Sequence, residues 1–324
     1  MKKIIAVIGI MFLLSGCGHT GKVEILKELN KNIKSLKSYY IEGEMEIINN
    51  EDSYKYDVNV SYMNNNYKVS LTNKSNNHEQ VILKNKSGTY VLTPSLNKSF
   101  KFESTWPNNT SQIYLIESII KDMNNDSELG FNETNDGYVF TSKVNYPNNK
   151  SLVKESICFD KNLNIKSVEV LDNSNNKVMV MKFNRFEKNK KLDESIFELV
   201  NENKELDETV SSIDDAIYPM FLPLNTTLEK QDVVDKEDGE RLILTFGGDN
   251  PFILIEETVS TYDELEIIPT IGEPTLLIDT IGALSDNSIT WISNGIEYYI
   301  TSDVMSIDDM LTVAKSMSTI PVMK

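Results

Sequence analysis

Histidine and cysteine are scarce in this chain: its 324 residues hold two of each, His19 and His78, Cys17 and Cys158. Neither histidine lies at ligand spacing from a cysteine or carboxylate, which excludes the usual zinc arrangements and makes both read as solvent-exposed side chains. Cys158 sits in the apolar run Ser156-Ile157-Cys158-Phe159 and reads as a buried, inert thiol. Also missing are a Gly-rich phosphate loop followed by Lys-Ser or Lys-Thr and any Gly-x-Ser-x-Gly. Asp232, Asp235, Glu237 and Asp238 are dense in carboxylates, but their spacing misses the EF-hand order and suits a hairpin. The pair Glu256-Glu257 has no meaning before the fold is known, because strand neighbours point to opposite faces. No catalytic residue, metal ligand or cofactor site is assigned, and the chain is expected not to be an enzyme.

Positive charge is short in one part only. Residues 1–200 carry 26 Lys and Arg against 24 Asp and Glu, whereas residues 201–324 carry 6 against 25. So sharp a shift marks a domain boundary near residue 200. The acidic part would be repelled by nucleic acid phosphates and by an anionic membrane surface. It is either a plainly solvated surface or a surface for a basic partner.

A hydrophobic run long enough to span a bilayer is missing as well. The apolar stretch 4–14 covers about a dozen residues, follows Lys2 and Lys3, and ends in Leu14-Ser15-Gly16-Cys17. Charge, short apolar core and small residues in that order describe a secretory signal over residues 1–16. Leu-Ser-Gly-Cys resembles the lipobox of bacterial lipoproteins, which implies acylation of Cys17 and a tether over residues 17–22. An ordinary signal peptide with a stray cysteine is the other reading. Cleavage would leave 308 residues, enough for about two domains, and an acylated Cys17 leaves Cys158 without a disulfide partner.

Leu26, Leu29, Ile33 and Leu36 place one apolar stripe on a helix over residues 23–36. Strict alternation then begins: Ile41, Gly43, Met45 and Ile47 against glutamates, and Tyr54, Tyr56, Val58, Val60 and Tyr62 against polar residues. Further strands are expected at 67–71, 80–83, 89–93 and 99–102, joined by Asn-rich turns such as Asn64-Asn65-Asn66. Trp106-Pro107-Asn108 breaks this meander. A helix is expected over 111–123, and strands resume at 137–142, 152–159, 165–171 and 177–183. The class is α+β: a curved antiparallel sheet of about nine to eleven strands over residues 23–200 clasping helices. A two-sheet sandwich is the alternative. Tyr54, Tyr56, Tyr62, Phe100 and Phe102 either line a groove for an acyl chain or form core, and the first helix needs such a core for its stripe.

Residues 201–210 read as a linker. A smaller, acidic α+β domain is expected over 211–324. It would hold a short helix at 213–220, a hairpin of 228–234 and 241–246 turning at Asp238-Gly239, and strands at 252–257, 275–278, 288–292 and 296–300. Its closing helix would be capped by Ser306 with Asp308 and Asp309 in the first turn.

The lipobox, the opening helix, the meander and the run Tyr90-Val91-Leu92-Thr93-Pro94-Ser95-Leu96-Asn97-Lys98-Ser99-Phe100-Lys101-Phe102 resemble LolA/LolB-like lipoproteins of spore-forming Gram-positive bacteria. Trp106-Pro107-Asn108-Asn109-Thr110-Ser111-Gln112-Ile113-Tyr114-Leu115 is the most specific stretch and looks like the sporulation and germination lipoproteins of the YdcC and GerS type. Tyr90, Thr93, Pro94, Phe100, Phe102, Trp106, Pro107, Ser111, Gln112 and Tyr114 carry that resemblance. Leu222-Pro223, Ile289-Thr290-Trp291, Gly295-Ile296-Glu297-Tyr298-Tyr299 and residues 307–317 resemble a domain of unknown function placed after such modules.

The resemblance implies a half-barrel clasping helices around an apolar cavity. It also implies an anchored place on the extracytoplasmic face of the membrane, in the forespore envelope, and a protein partner such as a cell-wall amidase. The function expected is non-enzymatic partner binding in sporulation or germination. The alternatives are a lipid or lipopeptide carrier, or an extracytoplasmic sensor similar to RseB.

Overall fold

Long runs of alternating apolar and polar residues form long strands, and a broad antiparallel sheet of such strands twists until it curls. The computed structural model describes residues 21–49, 52–199, 213, 216–236, 239–259 and 264–317. The signal, Cys17, His19 and the linker 201–210 lie outside these described residues.

Helix α1 (Lys22–Lys34) opens the chain, followed by strands β1 (Ser38–Asn49), β2 (Asp52–Met63), β3 (Asn66–Asn73), β4 (Glu79–Asn85), β5 (Gly88–Thr93) and β6 (Lys98–Phe102). Helix α2 (Ile116–Asn125) then leads into β7 (Gly130–Glu133), β8 (Gly137–Lys143), β9 (Leu152–Asp160), β10 (Ile165–Asp172) and β11 (Lys177–Lys188). The second half contains β12 (Thr226–Lys236), β13 (Gly239–Gly248), β14 (Phe252–Thr258), β15 (Glu266–Thr270), β16 (Glu273–Leu276), β17 (Ile281–Leu284), β18 (Ser288–Ser293), β19 (Ile296–Thr301) and α3 (Ile307–Lys315).

Twelve strands make the first sheet, in the order β15-β6-β5-β4-β3-β2-β1-β11-β10-β9-β8-β7. The two meanders meet where β11 returns antiparallel beside β1. That register shifts at Glu42/Gly43, and a side chain at Gly43 would collide with the Lys182 carbonyl. The β2–β3 hairpin turns on Asn64 and Asn65, both in the left-handed region that asparagine tolerates.

Inward side chains of this sheet, among them Tyr39, Ile41, Met45, Val60, Val69, Phe140, Ile157, Val168 and Met181, pack on Ile25 and Leu29 of α1 and on Ile116, Ile119, Ile120 and Met123 of α2. The two helices are fastened to each other by reciprocal Asn30–Asn124 side-chain hydrogen bonds of 2.9 and 2.8 Å. Tyr56, Phe100 and Phe102 are buried in this core, and Tyr54 and Tyr62 pack half-buried against it. Those aromatics are core, not groove. The architecture is the α+β curved sheet clasping helices, and the N-terminal half is one sheet, not a sandwich.

The second sheet has seven strands, β12-β13-β14-β19-β18-β17-β16. Leu242, Leu244, Phe246, Leu254, Trp291, Tyr298 and Ile300 pack on Met310, Leu311, Val313 and Ala314 of α3. Ser306 caps α3 as expected, its hydroxyl accepting from Asp309 N at 3.1 Å. The halves are stitched together. β15 pairs in parallel with β6, and Ile281, Ala283 and Ile292 enter the first core. Lys98 Nζ meets Glu297 Oε2 at 2.5 Å. Gln80 Oε1 accepts from Thr280 Oγ1 at 3.0 Å and from Ile281 N at 2.6 Å.

Several expectations are corrected. Helix α2 starts at Ile116 instead of 111, because the Ser111 N–H donates to the Asn145 carbonyl of a neighbouring loop and the Gln112 N–H to the Ser118 hydroxyl. Residues 213 and 216–220 are not helical: Pro219 disfavours helix at the residue before it, and the Ile217 N–H bonds to a buried carboxylate. The strand expected at 275–278 runs over Glu273–Leu276, ending before the Ile278 carbonyl accepts from Tyr56 Oη at 2.5 Å. β7, β15 and β17 have four, five and four residues, too few to show alternation. Cys158 is half-buried, because neighbouring Ile157 takes the inward position on β9. His78 is also half-buried, with its Nε2 out of solvent and its ring near Asp279 of the second half.

Candidate functional site

The residues that carry the family resemblance are interior. Tyr90 packs with Val81, Leu83, Leu92 and Phe197 in a small cluster outside the main core. Thr93 is buried, and Pro94 lies buried in the helical turn that follows β5. Trp106, 1% exposed, meets Tyr67 edge-on at 5.7 Å and continues a stack through Tyr62 and Tyr39. Its peptide bond to the buried Pro107 is cis, and its carbonyl accepts from Lys84 Nζ at 2.5 Å.

The remaining motif residues tie the loop to α2. Ser111 Oγ donates to Asp122 Oδ2 at 2.6 Å while accepting from Asn145 N at 2.7 Å. Gln112 N donates to Ser118 Oγ at 2.8 Å, and Tyr114 Oη donates to Gln112 Oε1 at 2.7 Å. All these groups are satisfied by the protein itself, which is what buried polar groups require.

Three carboxyl groups lie under this loop and its sheet. Glu117 accepts from Tyr39 Oη at 2.6 Å; burial raises its pKa and that bond partly lowers it. Burial likewise raises Asp122, with the Ser111 bond pulling the other way. Glu155, 1% exposed on β9, is pushed well up by burial and by the Asp122 charge, and its Oε1 accepts no hydrogen bond. The neutral acid is therefore the favoured form there.

A cavity of about 170 Å³ lies between the loop, the ends of β1, β4 and β11, and the second half, lined by Ile47, Ile82, Ile113, Met179, Ile278 and Leu311. Lys315 borders it, and burial lowers its pKa. The volume is below the roughly 300–1,000 Å³ of small-molecule sites.

Sequence reasoning gave no weight to two features of the second half. Glu256, 0% exposed on β14, accepts Ile217 N on both carboxylate oxygens, at 3.0 and 3.1 Å, and burial raises its pKa to about 7. The strap that this carboxylate holds, residues 216–224, exposes Tyr218, Met220, Phe221 and Leu224. Pro219 and Pro223 around Met220-Phe221-Leu222 were the available signal, since they rule out both helix and central strand.

Among the described residues no group of three or more His, Cys, Asp or Glu could hold a metal. The fold is thus an α+β half-barrel closed over two helices, with a second sheet joined to its edge. The chain belongs to the Sporulation protein YdcC-like family, which it matches over residues 1–197. It is 37% identical over 320 residues to Sporulation protein YdcC of Bacillus subtilis strain 168, covering 95% of this chain and 93% of that protein. Among solved structures, a LolA superfamily protein from Nitrosomonas europaea shares 13% identity at a TM-score of 0.32, over 55% of this chain and 97% of that one. The GerS lipoprotein–CwlD amidase complex from Clostridioides difficile gives 17% identity and a TM-score of 0.24, over 52% and 97%. Below a TM-score of 0.5, these two likenesses carry no function across.

Proposed function

We propose that this protein is a lipid-anchored, non-enzymatic envelope protein that acts in sporulation or germination by binding a partner protein. Its long alignment with a sporulation protein supports the setting. The observation that carries the binding reading is the distribution of apolar surface. The concave side of the half-barrel is filled by its own helices, while an ordered strap on the second half leaves Met220 91% and Leu224 81% exposed. Exposed apolar side chains grouped in this way among the described residues mark a surface for association. Anchoring would come from Cys17 at the end of the lipobox-like Leu-Ser-Gly-Cys.

The test is a deletion strain complemented by wild type or by Cys17→Ala. Deletion should lower the yield of spores able to germinate. Cys17→Ala should release the protein from the membrane fraction, with intact mass showing the loss of an acyl modification. Normal spores after deletion would overturn the reading, as would cortex-cleaving activity in the purified wild-type protein. A second reading, acyl-chain binding, draws on the apolar lining of the cavity beside Lys315, which would have to widen to take a whole chain. Native mass spectrometry of the detergent-free protein should then show a bound acyl species, and a bare mass would discard it.

A further inference from the structure

We propose that residues 216–224 form the docking surface for a partner protein whose contact region is an apolar patch ringed by lysine and arginine. This deepens the partner-binding reading above and rests on it. Within seven residues, Tyr218 is 47%, Met220 91%, Phe221 39% and Leu224 81% exposed. Single exposed apolar side chains are ordinary on a surface; four grouped on one short strap are not.

The strap is also held in place. Its Ile217 N–H reaches the Glu256 carboxylate, Tyr218 Oη donates to Gln231 Oε1 at 2.7 Å, and Met220 N reaches the Ser316 carbonyl at 3.4 Å. Ala216, Ile217 and Leu222 pack under it into the second core, and Pro219 and Pro223 fix two backbone torsions. A contact surface ordered before binding loses less entropy when a partner arrives.

Charge selects the occupant. Residues 201–324 carry 25 acidic side chains against 6 basic ones. In the neighbouring β12–β13 hairpin, Lys230 pairs with Asp232, and Lys236 and Arg241 pair with Glu257. Asp249 accepts from Asn225 at the end of the strap, and Glu229 and Asp235 lie on β12, the strand whose Gln231 bonds to Tyr218. An anionic membrane or a second copy of this acidic half would be repelled, whereas a basic rim would be attracted.

The test places the photoreactive amino acid p-benzoylphenylalanine at position 220 of the full chain in sporulating cells and sequences the crosslinked peptides. The expected product is one protein adduct, joined at an apolar segment flanked by Lys or Arg. Phe221→Ser with Leu224→Ser should cut its yield by about tenfold or more while the purified protein keeps its melting curve. Glu229→Lys with Asp235→Lys, which leaves the apolar patch intact, should also lower it. An adduct with lipid alone, with a second copy of the chain, or with unchanged yield in both variants would overturn the proposal, and so would no adduct. If deletion impairs spores while both variants complement fully, this surface falls and the partner-binding reading stands. If deletion has no effect, that reading itself falls.

Discussion

Residues 103–115 and 216–224 are both irregular, interrupted by proline and carry large apolar side chains, yet those side chains end in opposite environments. The first passes between the half-barrel and the second half: Trp106, Ile113, Tyr114 and Leu115 are buried, and its polar groups bond to α2 and to the loop at Asn145. The second lies against the smaller sheet: Ala216, Ile217 and Leu222 pack into the core under α3 and Tyr218 bonds to Gln231, while Met220 and Leu224 stay in solvent. Apolar residues in a loop do not by themselves mark a site. What decides is whether the fold supplies a second wall.

Trp106→Ala should break the first segment. It empties a fully enclosed site beside Tyr67 and should cost about 3–5 kcal/mol in urea unfolding. Met220→Ala should stay within about 0.5 kcal/mol, as surface changes do. Equal costs would erase the distinction between the segments. Next in size is Ser111→Ala, which strips a hydrogen bond from both Asp122 and the Asn145 N–H and should cost about 1–3 kcal/mol. Asp122→Asn should lose less than Ser111→Ala, because its amide retains a donor and an acceptor for the Ser111 hydroxyl.

The two segments were also unequally legible in the sequence. Alternation in residues 41–62 was enough for β1 and β2, since each strand there has one buried face. The Trp-Pro to Ser-Gln-x-Tyr-Leu stretch stood out as a family signature, but its role as internal cement depends on Asn145 and Asp122, more than ten residues away. Residues 213–220 suggested a short helix. Pro219 argued against one locally, but the bond that fixes the segment, from the Ile217 N–H to Glu256 39 residues further on, is encoded in no local pattern. Likewise β15 has five residues and gains its partner β6 only from the other half of the chain. Short elements fixed by distant partners are the ones periodicity misses.

Buried carboxyl groups sharpen the comparison at the level of single atoms. Glu155 and Glu256 each lie in a core, but only Glu256 has a backbone N–H bonded to its carboxylate. Both have a pKa raised by burial, so the folded protein keeps a proton that the unfolded chain has released. Stability should therefore fall as pH rises from the ordinary carboxyl value, and for Glu256 the fall should end near its pKa of about 7. Glu155→Gln should stabilise the protein at neutral pH, because the neutral amide removes the need to take up a proton on folding next to Asp122.

Glu256→Gln is the smaller and more selective change. Gln keeps an oxygen for Ile217 N–H, so the strap should stay in place. The decline in stability between about pH 5 and 7 should become shallower, read from urea midpoints across that range. Glu256→Leu removes the acceptor altogether. Hydrogen exchange at Ile217 should then accelerate while the amides of β1 and β2 keep their protection. Loss of protection in both regions at once would mean that the strap unfolds with the half-barrel, and the contrast between a buried loop and a fastened surface strap would have to be abandoned.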